Sequence, residues 1–247
     1  MDKFVQSFQV PSYMVDAHRR LRASCFMEIA QELAGQGAQQ LHMSDSDLAP
    51  LGAVWVLARQ HVEFPDTPLR DQEVVLSTWH KGLKGVQYLR DYSVTDTDGR
   101  PLVLSTSSWI IMSLNDRHML RPDVLEQYVP SSPQCSCHAV EAACAKIIPP
   151  KDLALQPLGG HEVRYSDVDY NGHTNNTKYI VWSLDSLPQD IVFGSRLKEF
   201  DINYNKESHL GETVSLYAAR DGGAWYVEGR AADGQQCFIA RFLMSDL

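Results

Sequence analysis

Residues 163–187 read VRYSDVDYNGHTNNTKYIVWSLDSL, and residues 10–34 read VPSYMVDAHRRLRASCFMEIAQELA. Laid over one another, Val15-Asp16 falls on Val168-Asp169 and Phe26 falls on Tyr179. Each stretch is a polar loop that runs into a helical pattern. In the earlier one, Phe26, Ile29, Ala30, Leu33, Gly37 and Leu41 share one helix face. In the later one, Tyr179, Ile180, Ser183, Leu184 and Leu187 do the same. Ser24 is placed to cap the first helix, because its hydroxyl can accept a backbone N–H bond. Thr174, Asn175 or Asn176 can cap the second, and Pro188 ends it by removing a donor. The first helix is rich in small residues (Ala30, Ala34, Gly35, Gly37, Ala38), which let a sheet approach closely or leave space for something else.

The likeness continues downstream. VEFPDTPLRDQEVVLSTW (62–79) resembles INYNKESHLGETVSLYA (202–218), and VTDTDGRPLVLSTSSWIIMS (94–113) resembles GRAADGQQCFIARFLMS (229–245). Alternation and β-branched or aromatic content predict strands at 54–64, 73–80, 87–94 and 102–113, and again at 197–205, 213–220, 225–230 and 237–244. Asp98-Gly99 and Asp233-Gly234 read as hairpin turns, since glycine accepts a positive φ. The same order twice predicts a tandem α+β fold. Each half is a mainly antiparallel sheet of four or five strands curled around one helix. Pro122, Pro130, Pro133, Pro149, Pro150 and Pro157, with Ser131 and Ser132, rule out central strands between the halves. The expected divisions are a first domain at 1–121, a connector at 122–158 holding a short helix over 138–147, and a second domain at 159–247.

The composition narrows the function. The 247 residues carry 22 Lys+Arg against 31 Asp+Glu, a net charge of −9, which argues against a chain-wide nucleic-acid surface. No apolar run reaches the roughly 20 residues of a membrane span, and the N-terminus MDKFVQSFQVPSY has no apolar signal core. Five scattered cysteines read as reduced thiols of a cytoplasmic protein. Cys135-x-Cys137 has no second pair, and His42, His61, His80, His118, His138, His161 and His209 show no ligand spacing, so no metal is expected. A Gly-x-Ser-x-Gly elbow and a phosphate loop are both missing.

The densest polar cluster is Asp167-Val168-Asp169-Tyr170-Asn171-Gly172-His173-Thr174-Asn175-Asn176, just before the second helix. In an extended loop Asp169, Asn171 and His173 project to one side, and Gly172 allows a tight turn. Free amides at the helix start could stabilise an oxyanion. In the first half Asp16 persists, but His18 and Arg20 stand opposite Asn171 and His173. That asymmetry points to one working site. Glu207, in Asn205-Lys206-Glu207-Ser208-His209 at a strand end, is a candidate general base where the first half has only Pro65-Asp66-Thr67-Pro68.

The run Asp169-Tyr170-Asn171-Gly172-His173-Thr174-Asn175-Asn176-Thr177-Lys178-Tyr179-Ile180, followed by Trp182, closely resembles the signature of acyl-acyl carrier protein thioesterases. Tyr204-Asn205-Lys206-Glu207-Ser208 resembles that family's Tyr-x-x-Glu-Cys stretch, with Ser208 at the Cys position, so no cysteine nucleophile is available there. The resemblance implies a double hotdog fold and hydrolysis of fatty acyl-acyl carrier protein without a cofactor. It implies catalytic roles for Asp169, Asn171, His173 and Glu207, with Asp169 either polarising the network or attacking directly. Gly172, Asn175, Asn176 and Ser208 are expected at the substrate. The first half is expected to enclose the acyl chain, with Trp55 and Trp109 among candidates that include Phe26, Met27, Leu57, Ile111 and Met112.

An acidic carrier protein needs a local basic patch on this acidic chain. Three clusters are candidates: Arg19, Arg20 and Arg22; Lys81, Lys84 and Arg90; Arg196 and Lys198. Competing readings are an acyl-CoA thioesterase on the same fold and a non-catalytic acyl-binding module. A homodimer is compatible with the sequence but not derivable from it. The central expectation is spatial: the loop bearing His173 and the strand-end Glu207 must face a common cavity large enough to admit a lipid tail.

Overall fold

In the computed structural model the described residues are 3–126, 128–129, 132–134 and 136–246. Pro130, Ser131 and Cys135 of the expected connector lie outside them. The chain forms two compact units, 1–144 and 145–247.

The first unit contains β1 (Phe4–Gln9), α1 (Ala23–Gln40), α2 (Asp45–Leu48), β2 (Ala53–Glu63), β3 (Glu73–Lys84), β4 (Gln87–Thr95), β5 (Pro101–Ser113) and α3 (Pro122–Leu125). Its strands run antiparallel in the order β1-β3-β4-β5-β2. The second contains β6 (Gln156–Glu162), α4 (Asn176–Ser186), α5 (Gln189–Gly194), β7 (Ser195–Tyr204), β8 (Thr213–Asp221), β9 (Ala224–Arg230) and β10 (Gln236–Asp246). Its antiparallel order is β7-β10-β9-β8-β6. The chain is thus a tandem of two hotdog units. No helix among the described residues is long and apolar enough to cross a membrane.

The eight expected strands are present, and both Asp-Gly turns put glycine at positive φ, 83° at Gly99 and 81° at Gly234. Two edge strands, β1 and β6, were not anticipated. Pro157 lies in β6, and an edge strand tolerates its missing donor. Ser24 does not cap α1. The N-cap is Arg22, which makes no side-chain cap bond, and Ser24 lies inside the first turn. Residues 138–147 are not helical.

Apolar burial holds each helix on its sheet, with about 1.5–3 kcal/mol available per large side chain removed from water. In the first unit Phe26 and Leu33 of α1 are buried, and Phe26 meets Phe64 edge-on at 6.4 Å. Gly37 decides what the small-residue stripe is for. A Cβ there would lie 3.2 Å from Arg90 Nη1 and 3.6 Å from Thr78 Cγ2, so the stripe permits close approach to the sheet. In the second unit Tyr179 packs on Phe238 at 4.9 Å, and Phe200 on Phe242 at 6.1 Å.

The end of the first unit is a packed strap. The indole of Trp79 donates to the Cys137 carbonyl (3.0 Å), and the Gln134 amide to the His80 carbonyl (2.8 Å). Lys81 Nζ reaches the carbonyls of Val140 and Ala142, and the Ala139 amide donates to Asp91 Oδ2 at 2.8 Å. Lys81 and Asp91 pair at 3.3 Å with side chains 5% and 0% exposed, so this ion pair is sealed beneath the strap. Cys137 is disulfide-bonded, which departs from the expectation of reduced thiols, while Cys25, Cys144 and Cys237 are free.

This packing corrects one sequence expectation. Lys81 and Arg90 are buried and cannot belong to a docking patch. Periodicity does not reveal that a charged residue on a strand has a partner underneath it.

Burial pushes the Asp91 carboxyl above its ordinary pKa, against the pull of Lys81 and of bonds from Thr106 and Ala139. Lys81→Met should therefore leave a buried charge uncompensated and cost about 3–5 kcal/mol at neutral pH in urea unfolding. The cost should shrink as acid neutralises Asp91.

Candidate functional site

The polar loop before α4 is shaped by its own main chain. The Asp169 amide donates to the His173 carbonyl (2.9 Å), and the Gly172 amide to the Asp169 carbonyl (3.0 Å). Asp169 Oδ1 accepts the Asn171 amide at 2.9 Å, so this carboxylate braces the turn. Gly172 supplies the left-handed conformation at its tip, φ 81°. Asn175 caps α4, its Oδ1 accepting the Thr177 amide at 3.0 Å and the Thr177 hydroxyl at 2.8 Å.

Two interactions bind this loop to the segment after β7. The Thr174 amide donates to the Ser208 carbonyl (2.9 Å). The Ser208 hydroxyl lies 2.8 Å from Thr174 Oγ1 and 2.9 Å from the Tyr179 hydroxyl. Burial pushes the Tyr179 phenol up to about 12, which keeps its proton available to this trio. With Thr174 and Ser208 held together, the residues just before them meet: His173 Nε2 is 3.5 Å from Glu207 Oε2. Both side chains are about one-third exposed, at 32% and 35%. The expected proximity of His173 and Glu207 is present.

The other expected site residues take distinct places. Asn171 and Gly172 are exposed on the turn. The Gly172 amide is committed to the Asp169 carbonyl, which removes it as an oxyanion donor. Ser208 is buried, so its hydroxyl joins the two segments rather than facing solvent. The Asn176 carbonyl accepts from Tyr204 (3.2 Å). Trp55 and Trp109 belong to the first unit, half-buried and edge-on at 6.5 Å. Their indoles donate to the Met43 carbonyl and to Ser107 Oγ, both at 2.7 Å. They pack on a cluster that includes Met43, Leu48, Tyr88 and Ile111.

Three residues named in the sequence have partners that it did not reveal. His209 stands beside His173, rings perpendicular with centroids 5.0 Å apart. His161 of β6 bonds Asp167 Oδ2 at 2.8 Å and stacks on Trp182 at 4.2 Å. Asp167 in turn accepts the Arg164 amide on Oδ2 (2.9 Å) and the Asn175 amide on its carbonyl (2.8 Å), which anchors the start of α4. Burial works to raise the Asp167 pKa, yet the His161 bond, the Arg164 amide and the His161 charge hold it below the ordinary carboxylate value. No local spacing signals such a pair, because its members are brought together by an edge strand and a turn.

The first unit repeats the frame without the chemistry. The Asp16 amide donates to the Arg20 carbonyl (2.8 Å), the Arg19 amide to the Asp16 carbonyl (3.0 Å) and the Leu21 amide to the Pro68 carbonyl (2.8 Å). Asp16 Oδ1 accepts the amides of His18 and Arg20, each at 2.8 Å. Arg19 takes the left-handed conformation at the position of Gly172, φ 64°. At the positions of His173 and Glu207 stand Arg20, paired with Asp16 at 3.1 Å, and Thr67. At those of His161, Asp167 and Trp182 stand Phe8, Met14 and Ile29.

Family models describe this pattern. The acyl-ACP thioesterase N-terminal domain matches residues 1–129 and the C-terminal domain matches residues 156–237. The chain belongs to the acyl-ACP thioesterase family. It is 27% identical over 246 residues to oleoyl-acyl carrier protein thioesterase 1, chloroplastic, of Arabidopsis thaliana, covering 94% of this chain and 68% of the relative. It is 26% identical over 228 residues to the oleoyl-acyl carrier protein thioesterase of Coriandrum sativum, covering 85% of this chain and 61% of the relative. The chain thus spans about two-thirds or less of these relatives' lengths. In fold it matches the 12:0-ACP thioesterase from Umbellularia californica, with TM-score 0.87, 22% identity and coverage of 99% and 98%. It also matches an acyl-ACP thioesterase from Bacteroides thetaiotaomicron, with TM-score 0.80, 22% identity and coverage of 98% and 97%.

The Asp167 carboxyl titrates below its unfolded value, so its contribution to stability is complete above the ordinary Asp range and is lost as pH falls through the folded value. Asp167→Asn should lower Tm at neutral pH. It should also flatten the Tm-versus-pH profile across that acidic window, as read by circular dichroism melts.

Proposed function

We propose that the chain hydrolyses the thioester of a fatty acyl chain on acyl carrier protein, releasing free fatty acid and ending chain growth. Family membership and the named activities of the relatives support this reading. The observation that carries it is the His173–Glu207 pair, set by two tied segments and replaced by Arg20 and Thr67 in the first unit.

In this reading a water attacks the thioester carbonyl carbon and gives its proton to Glu207. The oxyanion is stabilised by donors from His173 and the Asn171 side chain, since the Gly172 amide is already used. Collapse breaks the C–S bond, and the thiolate of the carrier takes the proton back from Glu207. Asp169 holds the turn. Its counterpart Asp16 performs the same bracing in a unit that has lost the other groups, which favours positioning over nucleophilic attack. A cytoplasmic setting belongs to the same proposal. The free thiols of Cys25, Cys144 and Cys237 support it and the disulfide at Cys137 weighs against it.

Acyl-CoA hydrolysis is the second reading. Burial of Lys81 and Arg90 removes part of the basic surface that an acidic carrier protein would meet.

Glu207→Gln and His173→Ala should each lower kcat by about 10²–10⁴-fold in a thiol-release assay. The wild type should turn over acyl-acyl carrier protein faster than the same acyl chain on CoA. Unchanged turnover in both variants would remove the pair from the mechanism, and preference for CoA would reverse the choice of carrier.

A further inference from the structure

His209 gives the His173–Glu207 pair a third ligating group. Ligand atoms of His173, Glu207 and His209 all lie within 4.8 Å of one another. The 3.5 Å between His173 Nε2 and Glu207 Oε2 exceeds the roughly 2.7–3.2 Å of a good N–H···O bond. It is close to the edge of a tetrahedron built on bonds of about 2.0–2.1 Å, the distances zinc makes to imidazole and carboxylate. Glu212 holds the backbone at His209, its Oε2 accepting the His209 amide at 2.9 Å. Its Oε1 lies 3.6 Å from His209 Nδ1, beyond a hydrogen bond but near enough to become the outer-shell carboxylate that orients a metal-bound imidazole. The trio is half-exposed, so an ion can reach it, and two imidazoles with one carboxylate suit a borderline transition cation. In the first unit the same positions hold Arg20, Thr67 and Leu69, which cannot ligate.

We propose that His173, Glu207 and His209 form a site for Zn²⁺ or a similar divalent transition ion, and that its occupancy switches hydrolysis off. The binding half of the proposal rests on the geometry alone. The inhibitory consequence rests on the proposed function, because the ion would claim the base and the imidazole that hydrolysis needs.

The test uses the purified full chain stripped of metal. Calorimetric titration with ZnCl₂ should give one saturable site, and Co²⁺ should give tetrahedral visible absorption bands. His209→Ala should weaken Zn²⁺ binding at least tenfold, keep its Tm and, measured against its own metal-free rate, resist Zn²⁺ inhibition. Absence of saturable binding, or equal affinity in His209→Ala, overturns the site. Full activity at saturating Zn²⁺, or loss of activity on EDTA treatment, overturns the switch. A chain that binds Zn²⁺ through His209 but hydrolyses no thioester keeps the site and refutes the proposed function instead.

Discussion

A main-chain hydrogen bond from the Thr174 amide to the Ser208 carbonyl (2.9 Å) joins two segments that are far apart in sequence. The buried Ser208 hydroxyl, shared between Thr174 and Tyr179, seals the junction. His173 and Glu207 precede the joined residues, so their side chains leave the junction side by side. Their meeting is therefore a property of backbone registration and does not depend on mutual attraction. This matters for chemistry. A histidine–carboxylate pair that is one-third exposed contributes little stability of its own, and something else has to hold it in position.

The two units form an internal comparison. The same turn bonds recur, the same aspartate braces them, and the same left-handed residue closes the tip, as Arg19 in one unit and Gly172 in the other. What differs is the set of side chains mounted on the frame. Where the second unit carries His161, Asp167 and Trp182, the first carries Phe8, Met14 and Ile29. A polar anchor thus accompanies the loop that bears His173 and Glu207, and the equivalent positions of the other unit hold apolar side chains. Non-glycine left-handed geometry costs roughly 1 kcal/mol. The first unit accepts that cost at Arg19, whose guanidinium lies 3.6 Å from Asp71.

Features encoded by local periodicity were legible in the sequence. Alternation located the long strands, Asp-Gly pairs located the hairpins, and Asn175 was among the foreseen caps. The repeat itself was visible because Asp16 and Phe26 keep the spacing of Asp169 and Tyr179. Features that depend on packing were not legible. β1 and β6 are short edge strands with weak alternation, and the prolines around β6 masked it. Lys81 and Arg90 looked like surface charge because nothing nearby announces that a strap or a helix covers them. His209 and His161 acquire their neighbours only through tertiary structure. The buried bonds of Ser208 assign it a joining role that the motif did not reveal.

The strap carries a consequence for biosynthesis. The family's N-terminal model match ends at residue 129, but residues 139–142 still bond the sealed Lys81–Asp91 pair. A nascent chain that has released β5 from the ribosome lacks those bonds. It can make them only after about thirty further residues have emerged, those between Ser113 and Cys144. A fragment cut at residue 129 would lack them permanently, so the first unit includes the strap as well as its last strand.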